Sequence, residues 1–268
     1  MSVTWTQFRR ARRRSRQAWL VLAATGLALL GGAAWFFVAG QFGAAESPAT
    51  GPSEAPVLAG GWMKAVVAVR AVPAGSAAGV LDTLAVKGRA PKDTYDRSAF
   101  GQAWLDVDRN GCDTRNDILR RDLAAVEFVR GSRCQVAGGN FQEPYTGRMM
   151  AFRRGAETSA AVQIDHVVAL GDAWQKGAQQ LTAGQREHLA NDPLNLIAVD
   201  GPANQDKSAS DAATWLPPNK AFRCHYVARQ ISVKAAYRLW VTVAEKEAMK
   251  RILGSCPRQQ TIVPRPGR

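Results

Sequence analysis

Asp165 and His166 stand side by side, Asn195 follows the histidine by 29 residues, Asn204 comes 9 further on, and Lys207 lies three beyond that. These residue types, in this order, suit hydrolysis of a phosphodiester. A histidine with a pKa near neutrality can take a proton from water. A carboxylate and an amide oxygen are hard ligands for a divalent cation, which relieves charge on the phosphate and on the leaving oxygen. Asp165 and Asn204 are the candidate metal ligands, with Mg2+ favoured and Mn2+ the alternative. His166 is the candidate general base. Asn195 is the amide that holds the loop and fixes the imidazole tautomer. Lys207 is the candidate contact to a phosphate oxygen. Neighbouring residues on an ideal strand point to opposite faces, so this reading requires a bend or a strand end at Asp165-His166.

A second constellation is Asp106-x-Asp108-x-Asn110-Gly111 followed by Asp117, which has the spacing of a calcium loop with Asp in the final place. Turn formation by Asn110-Gly111 explains the same residues without Ca2+. Arg115 and Arg121 are candidates for the path of a phosphate backbone, or solvated helix charges. His188 and His225 read as surface or packing residues, and Trp174, Trp215 and Trp240 as core.

Regular elements must position these groups. Residues 161–168 read as a strand with the Asp-His pair near its end, followed by helices over 169–178 and 183–190. A second strand spans 194–199. Asp200-Gly201-Pro202 then starts a helix carrying Asn204 and Lys207, with proline in its first turn. Upstream, the pattern predicts a helix over 76–85, a helix beginning after Thr114 with Asp117 in its first turn, and strands at 126–129 and 149–153 joined through a turn at 144–147. Downstream, Trp215-Leu-Pro-Pro218 leads into a long helix with the stripe Val227, Ile231, Ala235, Leu239. A last helix carries Val243, Met249, Ile252 and Leu253. The fold class is α+β, with the chemistry on a strand–strand–helix unit.

The chain has 268 residues and a formal charge of +13. Residues 1–17 hold six arginines and no acid, and 18–39 are almost wholly apolar, with no charge. That run is long enough for a transmembrane anchor, and the arginine block keeps the N-terminus cytoplasmic and the remainder outside. A signal segment cleaved after the run, giving a secreted protein, is the alternative. Residues 40–60 form an Ala/Gly/Ser/Pro linker, 61–257 one globular domain, and 258–268 a loose C-terminal tail. Beyond the span the charge is about +7, which favours a polyanion such as nucleic acid, anionic lipid or a teichoic-type polymer, and equally serves solubility. The four cysteines all follow the span, where disulfides form. Of three possible pairings, the local ones, Cys112–Cys134 and Cys224–Cys256, are favoured. No Cys-x-x-Cys is present, which argues against a zinc ribbon. No segment calls for an obligate protein partner.

Asp-His, Asn, Asn-x-x-Lys resembles the ββα-metal motif of HNH endonucleases, in the variant whose final His is Asn. A longer resemblance runs from about Tyr95 to Cys256. It is carried by Asp108-Arg-Asn-Gly-Cys-Asp-Thr-Arg-Asn-Asp117, Asp165-His-Val-Val-Ala-Leu170, Asn191-Asp-Pro-Leu-Asn-Leu196 and Thr214-Trp-Leu-Pro-Pro218. This stretch is similar to exported actinobacterial HNH endonuclease family proteins, related to the C-terminal domain of GmrSD-type restriction enzymes. The resemblance implies a ββα-metal core with flanking helices, a divalent ion on Asp165 and Asn204, His166 as base and Asn195 in support. It implies a nucleic acid substrate, with DNA favoured over RNA, and the anchor or signal reading of residues 18–39 puts the cutting outside the cytoplasm. With no helix-turn-helix or zinc finger, little sequence preference is expected. Two other classes remain open: an inactive nucleic-acid-binding module of the envelope, and a cell-wall structural protein.

Overall fold

Leu196–Asp200 (β5) is buried at every position, as a strand covered on both faces must be. It pairs antiparallel with Val162–His166 (β4), with Asp165 opposite Ile197 and His166 opposite Leu196. Gln163, Asp165, Ile197 and Val199 therefore share one face, and Val162, Ile164, His166, Leu196 and Ala198 the other. A computed structural model describes residue 71 and residues 73–156 and 158–263, which this pair organises. The expected segments at 1–17, 18–39 and 40–60 lie outside the described residues. Among the described residues no helix is long and apolar enough to cross a membrane.

Ile197 and Val199 enter a core shared with Val80 and Leu81 of Ala77–Thr83 (α1), Tyr226, Val227 and Ile231 of Arg223–Ala236 (α6), and Met249 and Leu253 of Val243–Gly254 (α7). Ile164, Leu196 and Ala198 pack with Ile118 and Leu119 of Thr114–Asp122 (α2) and with Val136, Phe141 and Phe152 of a second sheet. That sheet is antiparallel, in the order Ala124–Phe128 (β1), Val136–Gln142 (β2), Met149–Arg153 (β3). A third cluster joins Phe100, Leu170, Trp174, Leu189 and Tyr237. It draws on Leu170–Gln175 (α3) and Ala183–Asn191 (α4), the helices inserted between β4 and β5. Gly201–Lys207 (α5) follows β5 directly. Its start is set by the Asp200 carboxylate, which accepts from the Ala203 amide at 2.8 Å, with proline in the first turn. The order strand, strand, helix is as expected.

Several elements differ from the sequence reading. β2 was not expected, because Gly138-Gly139 lowers its strand signal. The glycine is required there, since a Cβ on Gly139 would stand 2.8 Å from a Leu123 methyl carbon. The cap of α2 is Asp113, which accepts from the Asn116 amide at 2.8 Å, so Thr114 is already helical. A 3-10 turn at Lys220–Phe222 precedes α6, and α6 ends at Ala236, which leaves Leu239 beyond it. The expected tail is tied in over its first residues. The Ala77 amide donates to the Gln259 carbonyl at 2.8 Å, the Thr261 amide to Gly75 at 3.0 Å, and the Ile262 amide to the Ser232 hydroxyl at 2.8 Å. Both expected disulfides, Cys112–Cys134 and Cys224–Cys256, are formed.

Between α3, α6 and α7 lies a buried charge network. The Lys176 ammonium sits 2.7 Å from Asp172, 2.8 Å from Asp211 and 2.7 Å from Glu245. Lys234 lies 3.0 Å from Glu245, and Arg89 reaches Asp211 from the rim at 2.6 Å. Glu245 is also the third residue of a capping box with Thr242 at the start of α7.

Candidate functional site

β4 ends at His166, as the reading allowed, but its pairing stays regular through Asp165 and His166, so the two side chains leave on opposite faces. Asp165 turns inward. Its carboxylate accepts from the Tyr145 hydroxyl and lies 3.0 Å from the Lys207 ammonium, which also donates to the His166 carbonyl at 2.9 Å. Lys207 is wholly buried, so its charge is spent on Asp165 and not offered to a phosphate in solvent. Burial pushes the Asp165 carboxyl up, against the pull of Lys207. Burial likewise raises the Tyr145 phenol well above its usual value, and the nearby carboxylate adds to the effect.

His166 faces a cavity of about 280 Å3 whose lining includes Arg97, Phe100, Trp104, Leu170 and Ala190. Its Nε2 is 2.8 Å from the Ala190 carbonyl oxygen. A carbonyl only accepts, so Nε2 carries the hydrogen and Nδ1 keeps its lone pair. Burial pushes the imidazole pKa down to about 4; the Ala190 bond opposes this, while the charges of Arg97 and Lys207 reinforce it. The ring is therefore neutral at pH 7, the state a general base needs.

Asn195 is fully buried and braces the backbone. Its carbonyl oxygen accepts from the Val168 amide at 2.8 Å, and its NH2 donates to the Val168 and Leu189 carbonyls at 3.3 Å. It clamps the loop after β4 to the end of α4, and α4 in turn supplies the Ala190 carbonyl. The imidazole tautomer is thus fixed by Ala190, with Asn195 acting one step behind. Asn204 donates from Nδ2 to the Gln163 side chain at 2.8 Å, on the Asp165 face of β4.

α4 also holds the segment that walls the cavity. Arg186 donates to the Ala99 carbonyl at 2.8 Å, Glu187 accepts from the Gln102 amide at 2.9 Å, and Asn191 accepts from the Leu105 amide at 3.0 Å. Gly101 has φ 72, and any Cβ there would collide with the Glu187 carboxylate. Arg97, Phe100 and Trp104 were not singled out by the sequence. They sit in the 3-10 turn Arg97–Phe100 and the loop that follows it, well before the histidine, and no periodic signal marks them.

The other candidates are engaged elsewhere. Arg121 donates to the Pro193 carbonyl at 2.8 Å and the Leu196 carbonyl at 2.7 Å, and Arg115 to the Val162 carbonyl at 3.3 Å. His188 pairs with the Tyr237 hydroxyl at 2.7 Å. His225 stacks near Phe222. In the loop at 106–117, Asp106 accepts from the Asn110 and Gly111 amides, at 3.1 and 2.8 Å, and the Asn110 NH2 donates to Asp108 and Asp117 at 3.1 Å. Among the described residues, no group of three or more His, Cys, Asp or Glu is arranged to hold a metal ion. Asp165 and Asn204 have the right chemistry for Mg2+, but the Lys207 ammonium already occupies the Asp165 carboxylate. As folded, the pair does not fit a divalent ion.

Comparison with known proteins agrees with the resemblance. The family described as GmrSD restriction endonucleases, C-terminal domain, matches residues 113–252. An uncharacterized secreted protein of Arthroderma benhamiae is 38% identical over 185 residues, 68% of this chain and 86% of that protein. No solved structure matches. A match that spans β4, β5, α5 and the helices that brace them, over half of the chain, makes this chain a member of the GmrSD restriction endonuclease C-terminal domain family.

Proposed function

We propose that the chain is an HNH-type endonuclease that hydrolyses phosphodiester bonds of nucleic acid, with His166 as general base. One observation carries this: a neutral imidazole, its Nε2–H bound to Ala190, keeps the Nδ1 lone pair free in the wall of a cavity that also holds Arg97. A water beside Nδ1 loses its proton to the ring and attacks phosphorus; the P–O bond in line with it breaks, and the departing oxygen takes a proton from solvent. Asn195 positions the ring through the 167–168 loop and α4. Family membership supports a nuclease, and on this reading β4, β5 and α5 are the ββα-metal core of a domain over 61–257.

The family reading also implies Mg2+ or Mn2+ on Asp165 and Asn204. Since Lys207 pairs with Asp165 here, no step is assigned to a metal. DNA as substrate, and action outside the cytoplasm behind an anchor or signal at 18–39, belong to the same reading. The secreted name of the Arthroderma benhamiae relative and the two disulfides support the location.

The test is cleavage of supercoiled plasmid and of RNA by the wild type and His166→Ala, in Mg2+, in Mn2+ and in EDTA. Cleavage by the wild type alone is expected. Equal cleavage by both proteins refutes His166 as base, and cleavage in EDTA refutes metal dependence. DNA retardation without cleavage points to an inactive binding module; neither points to a structural protein.

A further inference from the structure

We infer that the cavity beside His166 receives one unpaired nucleotide, with its base against Trp104 and a phosphate at Arg97, so that the preferred substrate is single-stranded nucleic acid. This rests on the nuclease reading for its substrate class. The cavity, about 280 Å3, is walled mainly by apolar side chains, Phe100, Trp104, Leu170 and Ala190, with Arg97 and His166 as its charged or titratable groups. A flat apolar body carrying an anion fits that lining; a bare phosphate does not need it. His166 is only 9% exposed, so a scissile phosphate must come into the recess to meet it. A duplex keeps its bases stacked and its backbone stiff, and must extrude a nucleotide to enter such a site. A single strand offers base faces for aromatic stacking without that cost.

Two features of the wall support a ligand role. Trp104 has φ 60, a conformation rare for a bulky residue, and packing on the core of α2 and β2, with the Arg115 guanidinium 5.9 Å from its ring centroid, holds the ring in the cavity wall. Arg97 is exposed, reaches only the Tyr95 phenol and pairs with no carboxylate among the described residues, while a 3-10 turn capped by Asp96 fixes its backbone. Both lie before residue 113, where the family match begins, so this subsite is supplied by a segment outside it.

The test uses the full chain, oxidised and purified in detergent, carrying His166→Gln to silence cleavage. Binding of a labelled 12-nucleotide DNA strand and of its duplex is read by anisotropy over a range of salt. The strand should bind roughly 10-fold or more tighter than the duplex. Trp104→Ala should weaken the strand by about 5- to 150-fold, with most of it restored in Trp104→Phe. Arg97→Ala should lower the salt slope by about one and keeps the test alive if Trp104→Ala fails to fold. Equal binding of strand and duplex, or strand binding unchanged by both substitutions in folded protein, overturns the inference. Trp104-dependent strand binding in a chain whose wild type cuts nothing sinks the nuclease reading and leaves the subsite. Duplex cleavage as fast as strand cleavage, indifferent to Trp104, does the reverse.

Discussion

His166→Asn should flatten the acid side of the stability profile. In the unfolded chain the imidazole takes a proton near pH 6.5; in the folded chain burial lowers that to about 4. Between these values the unfolded state binds more protons, so unfolding free energy falls as pH falls. The contribution is complete above 6.5, declines through the window, and is gone below about 4. The difference corresponds to roughly 3 kcal/mol, a large part of the 5 to 15 kcal/mol typical of a domain. Asn keeps a donor for the Ala190 carbonyl and does not titrate. His225 shifts in the same direction, but it is present in both proteins and cancels. The assay is urea denaturation followed by tryptophan fluorescence at several points from about pH 7 to about pH 4, with the acid loss compared between proteins. Wild type should lose about 3 kcal/mol more than His166→Asn over that span. Parallel profiles would mean that the ring is solvated and charges freely, which would remove the argument for a neutral base in a recessed site.

Lys176→Met should cost about 3 to 5 kcal/mol in the same assay, because it leaves Asp172, Asp211 and Glu245 buried around one fewer cation; a loss under 1 kcal/mol would mean water reaches the network. Asn195→Ala strips the partner from the buried Val168 amide and should cost about 1 to 3 kcal/mol. In folded Asn195→Ala protein kcat should fall more than KM rises, as read from initial rates on a labelled strand. Replacing Cys224 and Cys256 by serine opens a link across 32 residues and should lower stability by about 3 to 4 kcal/mol, measured under oxidising conditions.

The strand–strand–helix unit was legible because its signals are local. Asp200-Gly-Pro202 is a cap, a turn residue and a first-turn proline in three consecutive positions, and Leu196–Val199 is an apolar run of strand length. The cysteine pairs were legible because each is local. The strand ends at the Asp165-His166 pair, one of the two alternatives expected, but its backbone keeps regular alternation up to that end and the two side chains separate. β2 was hidden by glycines whose need arises only when Leu123 packs across the sheet. The Tyr145–Asp165–Lys207 contact and the Arg97–Trp104 wall join residues 20 to 70 positions apart, and no periodicity encodes such meetings.

The clasp between residues 75–77 and 259–262 sets when the domain can finish folding. α1 is seated by backbone bonds from the last described residues, and Ile262 packs against two of the three apolar clusters at once. Contacts of this span are the slowest to close. A chain delivered from its N-terminus, by synthesis or by threading through a pore, therefore holds α1 without this clasp until residues 259–262 have followed it. Until α6 and α7 have followed, the apolar face of α1 that packs against them is open, and any chaperone acting on this protein has that interval in which to bind it.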